Sequence, residues 1–480
     1  MKTVFAKLMP CAVLLAALCQ SGCSVVGPDY KTPTAHELLP MQFPGDATSS
    51  APARTDAAWW KVFNDPALDS LVDTALAQGP DLAVADASIR QSRAARGQVA
   101  AQSQPQINAD GRLGRDQLSR NGEMLANVPF ANPVLGFTDY KIGFDASWEI
   151  DFFGHQQRSV ESADARLGSI EQQRSDAALR MAAEVARNVL DYRYWQLRLD
   201  NARLMRDQQE HALRLVTLQW QAGVASANDV RLAEVNLHNA QANVPGLEAG
   251  ARSSVAALGP LTSLPSKVIA DLLARVEHRP TLPEKFDTDI NSDVLLRRPD
   301  LRVAERNLAA ATADVGVSVA NQYPRFTILA QAGWDSINSG QLVDQASRYW
   351  NVGPQFSLPL FSGGAIRAQV AVSEAARDAA LASYRKSVLL ALADVESSML
   401  RCKAGDLRLA ELQRSQKSQA QVQDFAQQRF EVGDATQLEL IAAQLLTAGI
   451  LDQMLVVEQA FAQDAVSFYK AIGGSVASRD

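Results

Sequence analysis

Cysteine is scarce in this chain: four residues among 480, Cys11, Cys19, Cys23 and Cys402. Aromatic side chains make up only 6% of it, and the five histidines (His36, His155, His211, His238 and His278) stand at no spacing that would gather a metal ion. No G-x-S-x-G, no phosphate-binding loop and no dinucleotide fingerprint occurs, so no catalytic constellation competes for the reading of this chain as anything but a non-enzyme. Positive charge is also in deficit, with 46 Lys and Arg against 53 Asp and Glu, a net charge of −7. That balance argues against a nucleic-acid partner. After residue 23 no run of about 18 apolar residues is found, so a helical membrane span is not expected. A transmembrane β-barrel stays open, because its strands carry a much weaker signal.

The N-terminus accounts for most of the cysteine. Lys2 and Lys7 flank the start of an apolar run, "LMPCAVLLAAL" at 8–18. The run is too short to span a bilayer and has the length of a signal-peptide core; a buried N-terminal helix is the alternative. "QSGC" at 20–23 has the shape of a bacterial lipoprotein cleavage site, in which Cys23 becomes the acylated N-terminus, although Gln20 stands where such sites usually carry leucine. Ordinary cleavage nearby with a free Cys23 is the other possibility. Removal of 1–22 discards Cys11 and Cys19, leaving Cys23 and Cys402, too few for a disulfide framework or a thiolate metal site. The only covalent group expected is a lipid on Cys23, with no cofactor. Loss of Lys2 and Lys7 deepens the net charge to about −9.

What is present in strength is an internal repeat. "GPDLAVADASIRQSRAARGQVAAQSQPQINA", from Gly79, aligns without a gap on "RPDLRVAERNLAAATADVGVSVANQYPRFTI", from Arg298, so that Pro80, Asp81, Leu82 and Pro105 fall on Pro299, Asp300, Leu301 and Pro324. Further on, "WEIDFFG" (148–154) answers "SLPLFSG" (357–363), and "LQWQAGVASANDV" (218–230) answers "QRFEVGDATQLEL" (428–440), with Gly223 on Gly433. Each half therefore follows one plan: helix, strands, very long helix, turn, helix.

The longest segments, His155 to about Gln221 and Ala365 to about Val432, contain no proline and only Gly168 and Gly405 as glycine. One helix of more than 60 residues is roughly 100 Å long, a length that fits a coiled-coil-like assembly and not a compact domain. Partner helices are expected over 227–258 and 437–472, and shorter ones over about 66–103 and 289–322. Four segments alternate with period two, giving strands at about 106–114, 141–150, 325–334 and 351–360. Ile142, Phe144, Ala146, Trp148 and Ile150 share one face of the second; Val352, Phe356, Leu358 and Leu360 share one face of the fourth. Four strands cannot close a barrel alone, since about eight is the practical floor. Three chains would supply twelve, and an open edge is forbidden in lipid. The polar stretches 115–137 and 335–349 read as outer loops. The resulting organisation is a signal peptide (1–22), a lipidated leader (23–65), a first repeat (66–259), a linker without clear periodicity (260–287), a second repeat (288–473) and a short tail (474–480).

Several stretches resemble one known family. "GCSVVGPDY" (22–30), "NDPALDSLVDTAL" (64–76), "SWEIDFFG" (147–154), "RRPDLRVAE" (297–305), "PLFSGG" (359–364) and "RFEVGDAT" (429–436) are similar to the outer-membrane channels of tripartite efflux pumps, in particular the lipoprotein branch. The resemblance covers nearly the whole mature chain. It implies a mixed α/β membrane protein: a homotrimer with a twelve-stranded β-barrel continued by a twelve-helix periplasmic α-barrel. It implies a passive exit duct for drugs or other small toxic compounds, in the outer membrane of a Gram-negative bacterium, lipid-anchored and reaching into the periplasm. The implied partners are other copies of itself, a periplasmic adaptor, a proton-driven inner-membrane transporter and outer-membrane lipid. The alternative is the outer-membrane channel of a type I protein secretion system. By the same resemblance the periplasmic gate falls at Leu438 with the acids Glu439, Asp229 and Asp434, while Ala442 stands where the family places an aspartate. The adaptor would dock on the two turns, at Gly223, Val224, Ala225, Ser226 and at Gly433, Ala435, Thr436. Rings of carboxylate around a narrow axis repel one another unless cations compensate.

Overall fold

The computed structural model describes residues 25–34, 58–121, 135–275, 279–283 and 297–474. The expected signal peptide, Cys23 and the residues beyond Gly474 lie outside them. A short 3-10 turn, Trp59–Phe63, precedes α1 (Pro66–Gln78) and α2 (Pro80–Ala101). The strands β1 (Gln106–Gln117) and β2 (Gly136–Ile150) follow, then α3 (His155–Gln221), α4 (Ala227–Thr262) and α5 (Ser266–Ala274). The second half runs α6 (Pro299–Ala320), β3 (Arg325–Ser336), β4 (Arg348–Ser357), α7 (Ala365–Glu431) and α8 (Gln437–Ala471).

The repeat is written into the backbone. α2 and α6 have 22 residues each and both open on proline with an aspartate in the first turn. Proline is pre-shaped for that position and the carboxylate meets free N–H groups there. β1 and β3 have 12 residues each, and α3 and α7 have 67 each. The hairpins agree in register: Gln106 faces Ser147 in the first, and Arg325 faces Ser357 in the second.

The chain divides into two compact units. The first contains the described residues of 1–32, 90–169 and 305–382. Its centre is an antiparallel meander in the order β1-β2-β3-β4, which leaves β1 and β4 as edges. The leader is strapped onto this unit. Val26 N–H donates to the Phe153 carbonyl (3.2 Å). The buried Arg158 guanidinium donates to the Val26 carbonyl (3.3 Å), Asp29 (2.5 Å) and Glu161 (2.7 Å), and the Tyr30 hydroxyl donates to Glu305 (2.5 Å). Gly27 has φ +90°, and a Cβ on it would lie 2.5 Å from the Gly316 Cα, so only glycine permits this approach.

The second unit contains the described residues of 33–89, 170–304 and 383–480. Its core joins Trp59, Phe63, Leu68 and Val72 to Val189, Leu190 and Tyr194 of α3, Leu258 of α4, and Leu455 and Val466 of α8. A buried ion pair fixes it: Asp65 caps α1 by accepting from Ala67 N–H (2.9 Å) and Leu68 N–H (3.3 Å), and also accepts from Arg193 Nε (2.9 Å). Arg193 donates as well to the Leu273 carbonyl (2.7 Å). Removing one partner of such a pair costs roughly 3–5 kcal/mol.

Some elements differ from the sequence reading. The single helix expected over 66–103 is two, divided at Gly79. A Cβ on Gly79 would meet the Ala75 carbonyl at 2.5 Å, which explains why the helix turns there on glycine. The stretch expected to be an aperiodic linker carries the end of α4 and all of α5, whose Ile269 and Leu273 are fully buried. Val268, Ile269, Leu272 and Leu273 do stand at helical spacing, but the pattern is confined to nine residues, shorter than the window over which such a period is read. β2 begins five residues earlier than expected, and β4 runs from Arg348 to Ser357 instead of 351–360. Finally, α8 is long and apolar enough by composition to cross a membrane. Its Met454, Leu455, Phe461, Ala462, Ala465 and Val466 are spent in the core of the second unit, as in a buried helix.

Candidate functional site

The sequence-derived site residues fall on two short connections, α3 to α4 and α7 to α8. Both close in the same way. In the first, Gly223 takes φ +77°, its N–H donates to the Trp220 carbonyl (2.9 Å), and Val224 N–H donates to the Gln219 carbonyl (2.8 Å). In the second, Gly433 takes φ +80°, its N–H donates to Phe430 (3.1 Å), and Asp434 N–H donates to Arg429 (2.8 Å). This is the paired hydrogen-bond pattern that ends a helix on a left-handed residue, and it satisfies carbonyls that would otherwise be orphaned. Left-handed backbone selects glycine at both places.

The next helix then starts on a hydroxyl cap. Ser226 Oγ accepts from Asp229 N–H (3.3 Å), while the Asp229 carboxylate accepts from Ser226 N–H and Oγ (both 2.8 Å), a complete capping box. Those two donors hold the Asp229 carboxyl below its ordinary range. Thr436 Oγ1 accepts from Glu439 N–H (3.3 Å) and donates to Glu439 Oε1 (3.3 Å). The two acids six residues beyond each glycine thus sit at the third helical position of α4 and α8, where their carboxylates face the positive helix end.

The side chains around the two turns differ. Val224 of the first is 77% exposed. Its counterpart Asp434 accepts from Arg429 Nε (2.9 Å), and the same guanidinium lies 3.8 Å from Glu439 Oε2. The structure therefore brings Asp434 and Glu439 together through Arg429, a residue the sequence reading passed over; its signal is an arginine five positions ahead of an aspartate across a glycine turn. Among the described residues Asp229 is engaged with Ser226 alone. Leu438 is half-buried and Glu439 exposed. A Cβ on Gly223 or on Gly433 would meet nothing within 4 Å, so the outer surface of both turns is open. Ala225 and Ala435 are half-buried beside them. Among the described residues no group of His, Cys, Asp or Glu is placed to hold a metal ion. Cys402 is buried, and burial followed by the nearby Asp464 charge pushes its thiol up to about 12, so it is an inert core residue.

Comparison with known proteins points in one direction. The family model described as outer membrane efflux protein matches residues 71–262 and 290–474. The chain is 31% identical over 465 residues, 95% of each chain, to the pyoverdine export outer membrane protein OpmQ of Pseudomonas aeruginosa. It is 28% identical to nodulation protein T of Rhizobium leguminosarum bv. viciae, over 97% of this chain and 94% of that one. It is 28% identical to the toluene efflux pump outer membrane protein TtgI of Pseudomonas putida, over 96% and 97%. Among solved structures, the outer-membrane channel OprN superposes with a TM-score of 0.80 at 30% identity, over 94% of this chain and 99% of that chain. The open state of the Neisseria gonorrhoeae MtrE channel superposes with a TM-score of 0.79 at 23% identity, over 94% and 98%, a likeness of fold.

Proposed function

The chain belongs to the outer membrane efflux protein family, and from that membership we propose a division of labour among its parts. It is an outer-membrane channel for the efflux of small molecules through a tripartite pump, with no chemistry of its own. Three copies close a twelve-stranded β-barrel continued by a helical barrel in the periplasm, and a periplasmic adaptor and an inner-membrane transporter complete the pump. In our reading the turns at Gly223–Ser226 and Gly433–Thr436 receive the helical tips of the adaptor. The observation that carries this is the open space around both glycines, on turns closed by backbone hydrogen bonds and carrying the small residues Ala225 and Ser226 in the first and Ala435 and Thr436 in the second. Small residues allow close backbone approach.

The same reading makes Leu438 the apolar constriction and Asp229, Asp434 and Glu439 the acids around it. Arg429 then tunes that ring by holding two of its carboxylates. Cys23 carries lipid and adds a second attachment to the outer membrane, the feature of the lipoprotein branch. The transporter is proton-driven and selects the cargo, while the duct conducts passively. Relatives named for pyoverdine and for toluene, each near 30% identity over at least 95% of this chain, support a duct indifferent to cargo. Photo-cross-linking amino acids at Val224 and at Ala435, in cells expressing an adaptor, test the docking surface. Adducts of channel and adaptor are expected at both positions. Trimers that reach the membrane and pump, yet give no adduct at either, would reject it.

A further inference from the structure

The strand ladders of one chain specify how the next chain attaches. We infer that β4 of one copy pairs antiparallel with β1 of its neighbour in a single register, with Gly353 facing the neighbour's Gly114 and Leu360 facing its Ile107. The inference rests on the trimeric reading above and adds the residue-level frame.

The frame follows from the repeat. β1 corresponds to β3, residue for residue, as Gln106 to Arg325, and β2 to β4 as Ser147 to Ser357, because the two hairpins share one register. The β2–β3 ladder, in which Gly143 faces Gly333 and Ile150 faces Phe326, is therefore the internal copy of the missing β4–β1 ladder. Carrying it across places Gly353 on Gly114, Phe356 on Gly111, Leu358 on Ala109 and Leu360 on Ile107.

Three observations independent of that mapping agree with it. First, the Gly143–Gly333 pair is a close crossing: a Cβ on Gly333 would lie 2.4 Å from the Ile142 carbonyl and 2.7 Å from the Gly143 Cα. The mapped pair is again two glycines. Within one chain neither is required, since a Cβ on Gly353 would meet nothing within 4 Å and one on Gly114 only the Arg112 side chain. Opposite each other, both are explained. Second, the frame aligns the apolar faces: Ile107 (70% exposed) and Leu113 (72%) fall on the same face as Phe356 (71%) and Leu360 (89%). A slip of one residue would set this face against Asn108, Asp110 and Arg112, which a buried or lipid-facing surface forbids. Third, it supplies partners for Leu358 and Leu360. They continue the alternation of β4 yet lie beyond its last rung at Ser357, because β3 starts at Arg325 and cannot reach them. The neighbour's β1 can.

Paired cysteines read the register directly. Directly opposed Cβ atoms are about 4.5–5.5 Å apart and diagonal ones about 7–8 Å, so oxidation discriminates between frames. Ala109→Cys with Leu358→Cys, and Ile107→Cys with Leu360→Cys, are oxidised in outer membranes and resolved on a non-reducing gel. Each single variant serves as control. The register predicts disulfide-linked dimers and trimers from both pairs, and much slower linkage from Ala109→Cys combined with Phe356→Cys or with Leu360→Cys. Faster linkage in either shifted pair, or none in any pair of a trimeric protein, overturns the register while leaving the channel reading intact. A wild-type protein that is not trimeric overturns both. As a second measurement, Gly353→Val or Gly114→Val should lower the melting temperature of the trimer, while Gly340→Val, as unhindered within one chain as Gly353, should not. Equal effects at all three would remove the glycine-pair support.

Discussion

The turns after α3 and α7 are the same piece of backbone carrying different side chains. Both end a 67-residue helix on a left-handed glycine, and both begin the next helix on a hydroxyl cap answered by an acid at the third position. Around that frame the first turn shows an exposed Val224, while the second carries Asp434 clamped by Arg429. In place of Arg429 the first repeat has Gln219, and in place of Leu438 it has Asn228. Backbone closure needs only glycine and caps, so the remaining positions are free to diverge, and it is there that the repeats specialise. The first turn presents Val224 beside a single acid, Asp229; the second carries Asp434 and Glu439 on either side of Arg429, with Leu438 next to them.

The largest effect should come from the shared frame. Gly223→Leu and Gly433→Leu each force a side chain into left-handed backbone, costing roughly 1–2 kcal/mol, and project bulk into the open outer surface. Drug susceptibility should return toward that of a strain lacking the channel, with trimers still present in the membrane. Full efflux from either variant would remove its turn from the docking surface. The next effect separates the turns: Leu438→Ser should raise single-channel conductance of the purified protein several-fold, whereas Asn228→Ser should leave it unchanged. Equal responses would erase the asymmetry.

A smaller contrast is expected at the clamp. Arg429→Ala frees Asp434 and Glu439 and should increase cation over anion permeability in bilayer recordings, most at low salt where such charges are least screened. Gln219→Ala should have no effect on the same measurement. The smallest concerns the caps. Ser226→Ala or Thr436→Ala should cost about 1 kcal/mol of local helix stability, seen as faster amide exchange in the first turn of α4 or α8. Asp229 has a pH signature. Its folded pKa lies below the unfolded value, so its capping contribution is complete above about pH 4 and fades as pH falls through the folded pKa. Amide exchange at the start of α4, corrected for intrinsic rates, should therefore rise only in that acid range, and Asp229→Asn should abolish the pH dependence.

Much of the fold was legible because the helices and strands carry their periods over long stretches. Ile142 to Ile150 alternate for nine residues, and His155 to Gln221 exclude nearly all helix breakers. The duplication then doubled every signal. Less legible was anything set by a single distant contact. α5 is held by Ile269 and Leu273 entering a core made mostly from elsewhere, and by Arg193 reaching the Leu273 carbonyl. In the RRPDL stretch the sequence singles out Asp300, the repeat partner of Asp81. Its arginine does more: Arg298 donates to Asp300 (2.8 Å), to Asp394 (3.3 Å) and to the Ala471 carbonyl (3.0 Å), tying α6 to α7 and α8. At the turns the residues were legible as a set, but their mutual bonds were not. That Asp229 spends its carboxylate on Ser226, and that Arg429 joins Asp434 to Glu439, depend on rotamers that spacing alone does not specify.

The leader strap bears on where the molecule can float. Val25 packs so closely on Gly154 that a Cβ there would lie 2.5 Å from its side chain, and Val26 is hydrogen-bonded to Phe153 at the same level. Only one residue separates Cys23 from Val25, a leash of about 7 Å at full stretch. Acyl chains on Cys23 would therefore enter the inner leaflet within that distance of the point where strand gives way to helix. On the proposal that Cys23 is acylated, the anchor would act as a draught mark: it would set the depth at which the channel rides in the bilayer, and lengthening the leash by a few residues would let that depth drift while every contact of the pore stayed in place.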